Sequence, residues 1–293
     1  MNKLFKKITS LVIALVMIIT PAVLFYVPNM TAAAEGVHSH KVCGGLAHEG
    51  CTHGDIEFEP YPSDGGAILR GKNYYLTKDI VLGENQRIFV EKGVTNICLN
   101  GHSIKKEYGQ IIDINNIDGQ TAELNICDCT GKGRIENISE TSGYACINVI
   151  DDSTLNIYGG TIDGGAEGSG IDIESSTGTI TRGGSVNIYG GVISSDNNAC
   201  VYVSHVTDCG CWNFEEESCQ HSSIANSLSI YGGEMRSNGY YTIFALGKGS
   251  TVSIYGGKII QNDDYYDALA IKGDGASATI SGGQVISENS DGV

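Results

Sequence analysis

After Pro62 the chain has no proline, and 293 residues hold only four prolines and one tryptophan. Without proline, no LPxTG-type sorting signal can exist in that stretch. Basic residues are scarce too: 18 Lys+Arg stand against 34 Asp+Glu, a formal charge of −16. So acidic a surface repels nucleic acid phosphates and argues against DNA or RNA as a partner. It suits solubility outside a cell and can hold divalent cations. Beyond the first thirty-odd residues no segment is apolar enough to span a bilayer. No stretch after residue 35 spaces its apolar residues at a helical period either.

The N-terminus reads as a secretory leader. Lys3, Lys6 and Lys7 form a basic region, an apolar run starts at Ile8, and Ala32-Ala33-Ala34 offers a small-residue cleavage site before Glu35. The apolar stretch to Val27 has the length of an uncleaved anchor, but Thr20, Pro21 and Pro28 interrupt it. Cleavage after residue 34 removes three lysines and no acid, so the formal charge moves from −16 to −19. The expectation is an exported chain, with residues 1–34 as leader, 35–62 as a Cys/His-rich segment and 63–293 as the folded body.

Glycine, in contrast, is abundant at 40 residues, about twice the usual share. Aligning its pairs exposes a repeat. STLNIYGGTI starts at Ser153, GSVNIYGGVI at Gly184, NSLSIYGGEM at Asn226 and STVSIYGGKI at Ser250. SATISGGQVI from Ser277 is a degenerate copy, and NICLNGHSI from Asn96 and ELNICDCTGKGRI from Glu123 are weaker ones. Taking Leu99, Ile126, Ile157, Ile188, Ile230, Ile254 and Ile280 as markers gives intervals of 27, 31, 31, 42, 24 and 26.

Such a period means a solenoid. Leu155, Ile157 and Ile162 alternate with polar residues, which is a strand period. Each unit has a second alternating run: IIDI (111–114), INV (147–149), IDI (171–173), VYV (201–203) and LAI (269–271). A leucine-rich repeat needs a helix or a fixed Asn per unit, and a propeller needs about forty residues per blade. Short strands between Gly, Asn and Asp turns fit an all-β fold, a parallel β-helix of about seven to eight coils with inward Ile, Leu and Val.

NYYLTKDIVL (73–82) followed by VTNICLNGHSI (94–104) resembles the opening coils of secreted right-handed parallel β-helix proteins of the pectate-lyase-like superfamily. It is most similar to the surface and adhesin-like proteins of Gram-positive bacteria, in which a segment like HSHKVCGG…HEGCTHGD (38–55) often precedes the first coil. The resemblance implies the single-stranded right-handed fold and export. It implies little about activity.

Stacked coils place equivalent residues about 4.8 Å apart. One outward column holds Tyr158, Tyr189, Tyr231 and Tyr255, each beside a Gly-Gly pair. It reads either as a stabilising ladder or as an aromatic strip for a glycan or cell-surface polymer. A second column runs Asp113, Asn148, Asp172, Tyr202, with Glu174 two residues along from Asp172. The two aspartates would lie about 9–10 Å apart, near the upper end of the carboxylate spacing in inverting glycosidases; the same oxygens could hold Ca²⁺. Yet neither Arg nor Lys lines up beside them in the runs, and the acidic pectinase motifs are missing. The nearest approach to G-H-G is Asn100-Gly101-His102, a turn in which His102 reads as structural.

Six of seven histidines sit with cysteines in two clusters. The first is His38, His40, Cys43, His48, Cys51 and His53; the second is His205, Cys209, Cys211, Cys219 and His221. Imidazole with thiolate is the ligand set of Zn²⁺. Export and an even total of ten cysteines favour disulfides instead, so both readings stand. On the coils, Cys98 and Cys127 or Cys129 can staple neighbours, while Cys146 and Cys200 share a column two coils apart, too far to bond. The 42-residue interval contains HVTDCGCWNFEEESCQH (205–221), a loop inserted between VYV and LSI with an apolar tip at Trp212 and Phe214.

Three functions are consistent with these features. The first is a non-enzymatic β-helix binding glycan, matrix or a cell surface. The second is a polysaccharide lyase or glycoside hydrolase on the same scaffold, and the third an extracellular metal-binding protein. A solenoid without an evident cap at Val293 also exposes strand edges, which fits either end-to-end self-association or the front of a longer protein.

Overall fold

The computed structural model describes residues 37–45, 52–116, 119–141, 143–175, 183–206, 225–246, 249–272 and 275–287, with backbone alone for 175 and 204–206. Every regular element among them is a strand. The body is a parallel β-solenoid, as the repeat predicts. Each complete coil contributes three strands, for example Ile147–Ile150, Thr154–Ile157 and Thr161–Asp163. The third strands form a separate eight-stranded sheet. The first and second faces join into one larger sheet through Ile88–Cys98, a strand that turns the corner without a break.

Register follows the repeated phrases. Ile97, Ile126, Ile157, Ile188, Ile230 and Ile254 pair in sequence down the second face, each at most 1% exposed. The slot in the early coil therefore belongs to Ile97 and not to Leu99, which the glycine spacing suggests. Burying one such side chain contributes roughly 1.5–3 kcal/mol, and identical residues on successive coils keep the register from slipping.

The outward side of the second face is also ordered. Asn96 Nδ2 donates to Asn73 Oδ1 (2.6 Å), and the same bond repeats from Asn125 to Asn96, Asn156 to Asn125 and Asn187 to Asn156, each at 2.8 Å. Ser229, Ser253 and Thr279 then continue the column. The Gly-Gly pair has a double cause. A Cβ on Gly232 would meet Tyr189 O at 2.4 Å, and Gly233 sits at φ +81°. Absence of proline has the same root, because backbone N–H groups at turns as well as strands donate to the neighbouring coil, as in Tyr231 N to Ile188 O (2.8 Å) and Lys258 N to Gly233 O (3.0 Å).

Candidate functional site

Two residues past each asparagine, register defines the tyrosine column. It reads Tyr75, Cys98, Cys127, Tyr158, Tyr189, Tyr231, Tyr255 and Ser281. The last four rings stack face to face, with centroids 4.9, 4.8 and 5.0 Å apart and planes within 13°. Their faces therefore cover one another and the column presents edges and hydroxyls. No ring follows Tyr255, because Ser281 takes the next position. Exposure rises along the ladder from 7% at Tyr158 to 46% at Tyr231 and 51% at Tyr255.

Two cysteines thus occupy tyrosine positions, and there the N-terminal segment docks. Strand His38–Lys41 pairs antiparallel with Asp55–Pro60, whose end pairs with Asn73–Tyr75. Alternation in HSHK puts both histidines on one side of the strand. His38 stacks on Tyr75 (4.3 Å, 9°) and His40 on Phe58 (4.4 Å, 26°). The following turn settles onto the Cys127–Cys129 bend: Gly44 has φ +68°, and a Cβ there would meet Asp128 O at 2.8 Å. Cys43, Phe58, Cys98, Cys127 and Tyr158 form one buried cluster around this contact. Farther along, His53 meets Tyr158 edge to face at 5.0 Å.

Here His38, His40, Cys98 and Cys129 bring four ligand atoms within 4.8 Å of one another. The Nε2 atoms of His38 and His40 are 3.0 Å apart, and the Sγ atoms of Cys98 and Cys129 are 3.7 Å apart. His40 Nδ1 donates to Lys41 O at 2.5 Å, so in the neutral ring Nε2 carries the lone pair on the side of the cluster. Cys129 is held by its bend, where the fully buried Asp128 accepts from Gly101 N and Gly133 N, both at 2.8 Å, and from Thr130 Oγ1.

Charge within the cluster settles on one sulfur. The Cys127 thiol donates to Cys98 and lowers it to about 3, against the opposing effect of burial and with help from His40 and His38. The same bond holds Cys127 well above its ordinary value, and burial with the nearby Cys98 charge pushes Cys129 up to about 12. Burial draws His40 down, but the bonds to Cys98 and to Lys41 O, with the charges of Cys98 and Asp55, together outweigh it and leave the imidazole raised.

The aspartate column lies on the first face, running Phe89, Asp113, Asn148, Asp172, Tyr202, Phe244 and Ala270. Asn148 sits between the two acids, so they are two coils apart. Contrary to the runs read alone, a cation does stand beside Asp113: Arg87 Nη1 bonds its Oδ2 at 2.9 Å, and the carboxylate is buried. Asp172 is partly covered, and burial pushes it up to about 6 against the Ser169 hydroxyl, which donates at 2.9 Å. Glu174 pairs in register with Ile150, one position beyond the inward Ile173. Next along the face, Tyr202 and Phe244 gather Tyr240, Tyr241 and Tyr266 from the turns, with Lys272 over the rings of Tyr241 and Phe244.

Of the first predicted cluster, His38 and His40 reach the four-residue site, while Cys43 and His53 line its surroundings; His48 and Cys51 lie outside the described residues. Of the second, His205 is in strand Val201–Val206 with its backbone alone described, and Cys209, Cys211, Trp212, Cys219 and His221 lie outside the described residues. Cys146 and Cys200 are separated by the coil of Gly170, and their thiols donate to Asp163 O (3.0 Å) and Arg236 O (2.9 Å). None of Cys98, Cys127, Cys129, Cys146 and Cys200 is in a disulfide. No protein-family profile, curated protein or solved structure matches the chain.

Proposed function

We propose that the chain is an exported, non-enzymatic binding solenoid, related to the surface β-helix proteins it resembles, that contacts a glycan or cell-surface polymer through tyrosines of its later coils. The observation that carries this is aromatic exposure: Tyr231 is 46% exposed, Tyr255 51% and Tyr265 88%. Amphipathic rings left in water by a rigid scaffold suit ligands with apolar faces and polar edges, and the evenly spaced ladder suits a repeating polymer. The stacked rings narrow the contact to tyrosine edges and hydroxyls, plus the outer face of Tyr255.

The reading as a lyase or hydrolase draws less support. The Arg87 ion pair occupies Asp113, and the next acid in the column is two coils away. Retention on a panel of immobilised polysaccharides tests the proposal. The intact chain is expected to be retained, and the combined Tyr231→Ala, Tyr255→Ala, Tyr265→Ala variant to elute early. Equal retention of the two, or no retention of either, refutes it. Release of reducing or unsaturated ends from the same panel would favour the enzyme.

A further inference from the structure

We propose that His38, His40, Cys98 and Cys129 bind Zn²⁺ in a closed four-coordinate site that clamps the N-terminal hairpin onto the solenoid. The donor set comes first: two imidazoles and two thiolates suit zinc and leave hard cations such as Ca²⁺ poorly served. Geometry agrees with it. A tetrahedron with Zn–S bonds of about 2.3 Å has a sulfur–sulfur edge of about 3.8 Å, and Zn–N bonds of about 2.0 Å give a nitrogen–nitrogen edge of about 3.3 Å. The observed separations are 3.7 Å for the sulfurs and 3.0 Å for the nitrogens.

The surroundings orient the ligands as metal sites require. The His40 Nδ1 bond to Lys41 O presents Nε2, and rings of Tyr75 and Phe58 hold both imidazole planes. Asp128 fixes the bend that carries Cys129. Four protein ligands leave no open position for a substrate, so the site is structural and not catalytic. Its ligands come from the hairpin strand and from two adjacent coils. Since an isolated two-stranded hairpin is marginal in water, the ion supplies a tie that the few apolar contacts of His38–Lys41 do not.

Neighbouring donors make the assignment selective. Cys127 is directly paired with Cys98 and fully buried, yet stands outside the four; His53 lies on Tyr158. The full chain, purified with zinc, is assayed by elemental analysis and, after cobalt substitution, by visible absorption. Cys98→Ser, Cys129→Ser and His40→Ala are each expected to hold one equivalent less metal than the wild type, with affinity falling by more than the roughly 10–100-fold typical of losing an outer partner. They should also lose thiolate-to-cobalt charge transfer from this site, whereas His53→Ala keeps both signals and Cys127→Ser, which loses only an outer partner of Cys98, keeps the metal equivalent with affinity lower by at most roughly 10–100-fold. Should a ligand variant not fold, chelation of the wild type replaces it and is expected to expose residues 38–58 to protease while the solenoid stays protected. The proposal is overturned if Cys98→Ser and Cys129→Ser keep full metal content. It is equally overturned if Cys98 and Cys129 are joined by a disulfide in the zinc-purified protein, or if chelation leaves the hairpin as protected as before.

Discussion

Tyr189 and Tyr255 occupy the same column with the same chemistry, yet their replacement by alanine should differ threefold in cost. Tyr189 is stacked on both faces, by Tyr158 at 4.9 Å and Tyr231 at 4.8 Å, whereas Tyr255 has one neighbour at 5.0 Å. Each stacked contact contributes about 0.5–1.5 kcal/mol beyond area burial. Two contacts plus a half-buried ring make Tyr189→Ala worth about 3 kcal/mol; one contact and an exposed ring make Tyr255→Ala worth about 1 kcal/mol. Urea unfolding followed by tyrosine fluorescence and by circular dichroism measures both. The 2 kcal/mol gap corresponds to roughly 4–8 °C in Tm for a chain of this size. Glycan retention should respond in the opposite order, with Tyr255→Ala the more damaging. Equal destabilisation by the two substitutions would refute the ladder as a stabilising stack, and the division of labour along it.

Other consequences follow from single positions. Asn125→Ala breaks two amide bonds in the buried ladder and leaves Asn96 Oδ1 without its donor, so a loss of about 2–4 kcal/mol in unfolding free energy is expected, against about 1 kcal/mol for Asn187→Ala, which breaks one ladder bond, to Asn156. Asp128→Ala removes a buried carboxylate that accepts two backbone donors and a hydroxyl; it should cost about 3 kcal/mol and weaken metal retention by displacing Cys129. Gly233→Ala forces a side chain to φ +81° with Gly191 O at 2.9 Å and should lower stability by about 1–3 kcal/mol. Asp172 binds its proton more tightly in the fold, at about 6 against an ordinary 3.8, because of burial. Its favourable contribution is therefore complete below about pH 4 and is lost as pH rises through about 6. The difference in Tm between wild type and Asp172→Asn should change across that window and be flat outside it.

The solenoid was legible because the repeat carries its own register. In NIYGG, the isoleucine must point inward, and both glycines answer to the coil before, so aligned phrases are aligned strands. Where the phrase decays, the reading slips. NICLNG offers Ile97 and Leu99 at the same parity and has no glycine pair to choose between them, and glycine spacing selects the wrong one. Aligning NIC with NIY would have chosen Ile97, and would have set Cys98 and Cys127 in the tyrosine column. Arg87 escaped for a different reason. It lies in the turn before its strand, and such turns are not part of the alternating runs, although the chain brings it beside Asp113. Which cysteines His38 and His40 meet was not legible at all, since it depends on how a hairpin bends over a face built mostly from residues later in the chain.

That bend has a cause in the coils beneath it. Cysteine is far smaller than tyrosine, so two coils with Cys98 and Cys127 leave a gap in a column that otherwise carries a ring at nearly every level. The hairpin supplies the rings that are missing: His38 against Tyr75, His40 against Phe58 and, past the cysteines, His53 against Tyr158. A tyrosine in either cysteine position would fill the gap, and at position 98 it would also remove a sulfur from the cluster. Cysteine at these two positions thus creates the space that receives the N-terminal segment, and Cys98 also supplies part of the chemistry that can hold it there. The described residues of the hairpin, 38–45 and 52–58, are therefore the complement of the early coils and not a tag that precedes them, and the placement of His38 and His40 makes sense together with Cys98 and Cys129.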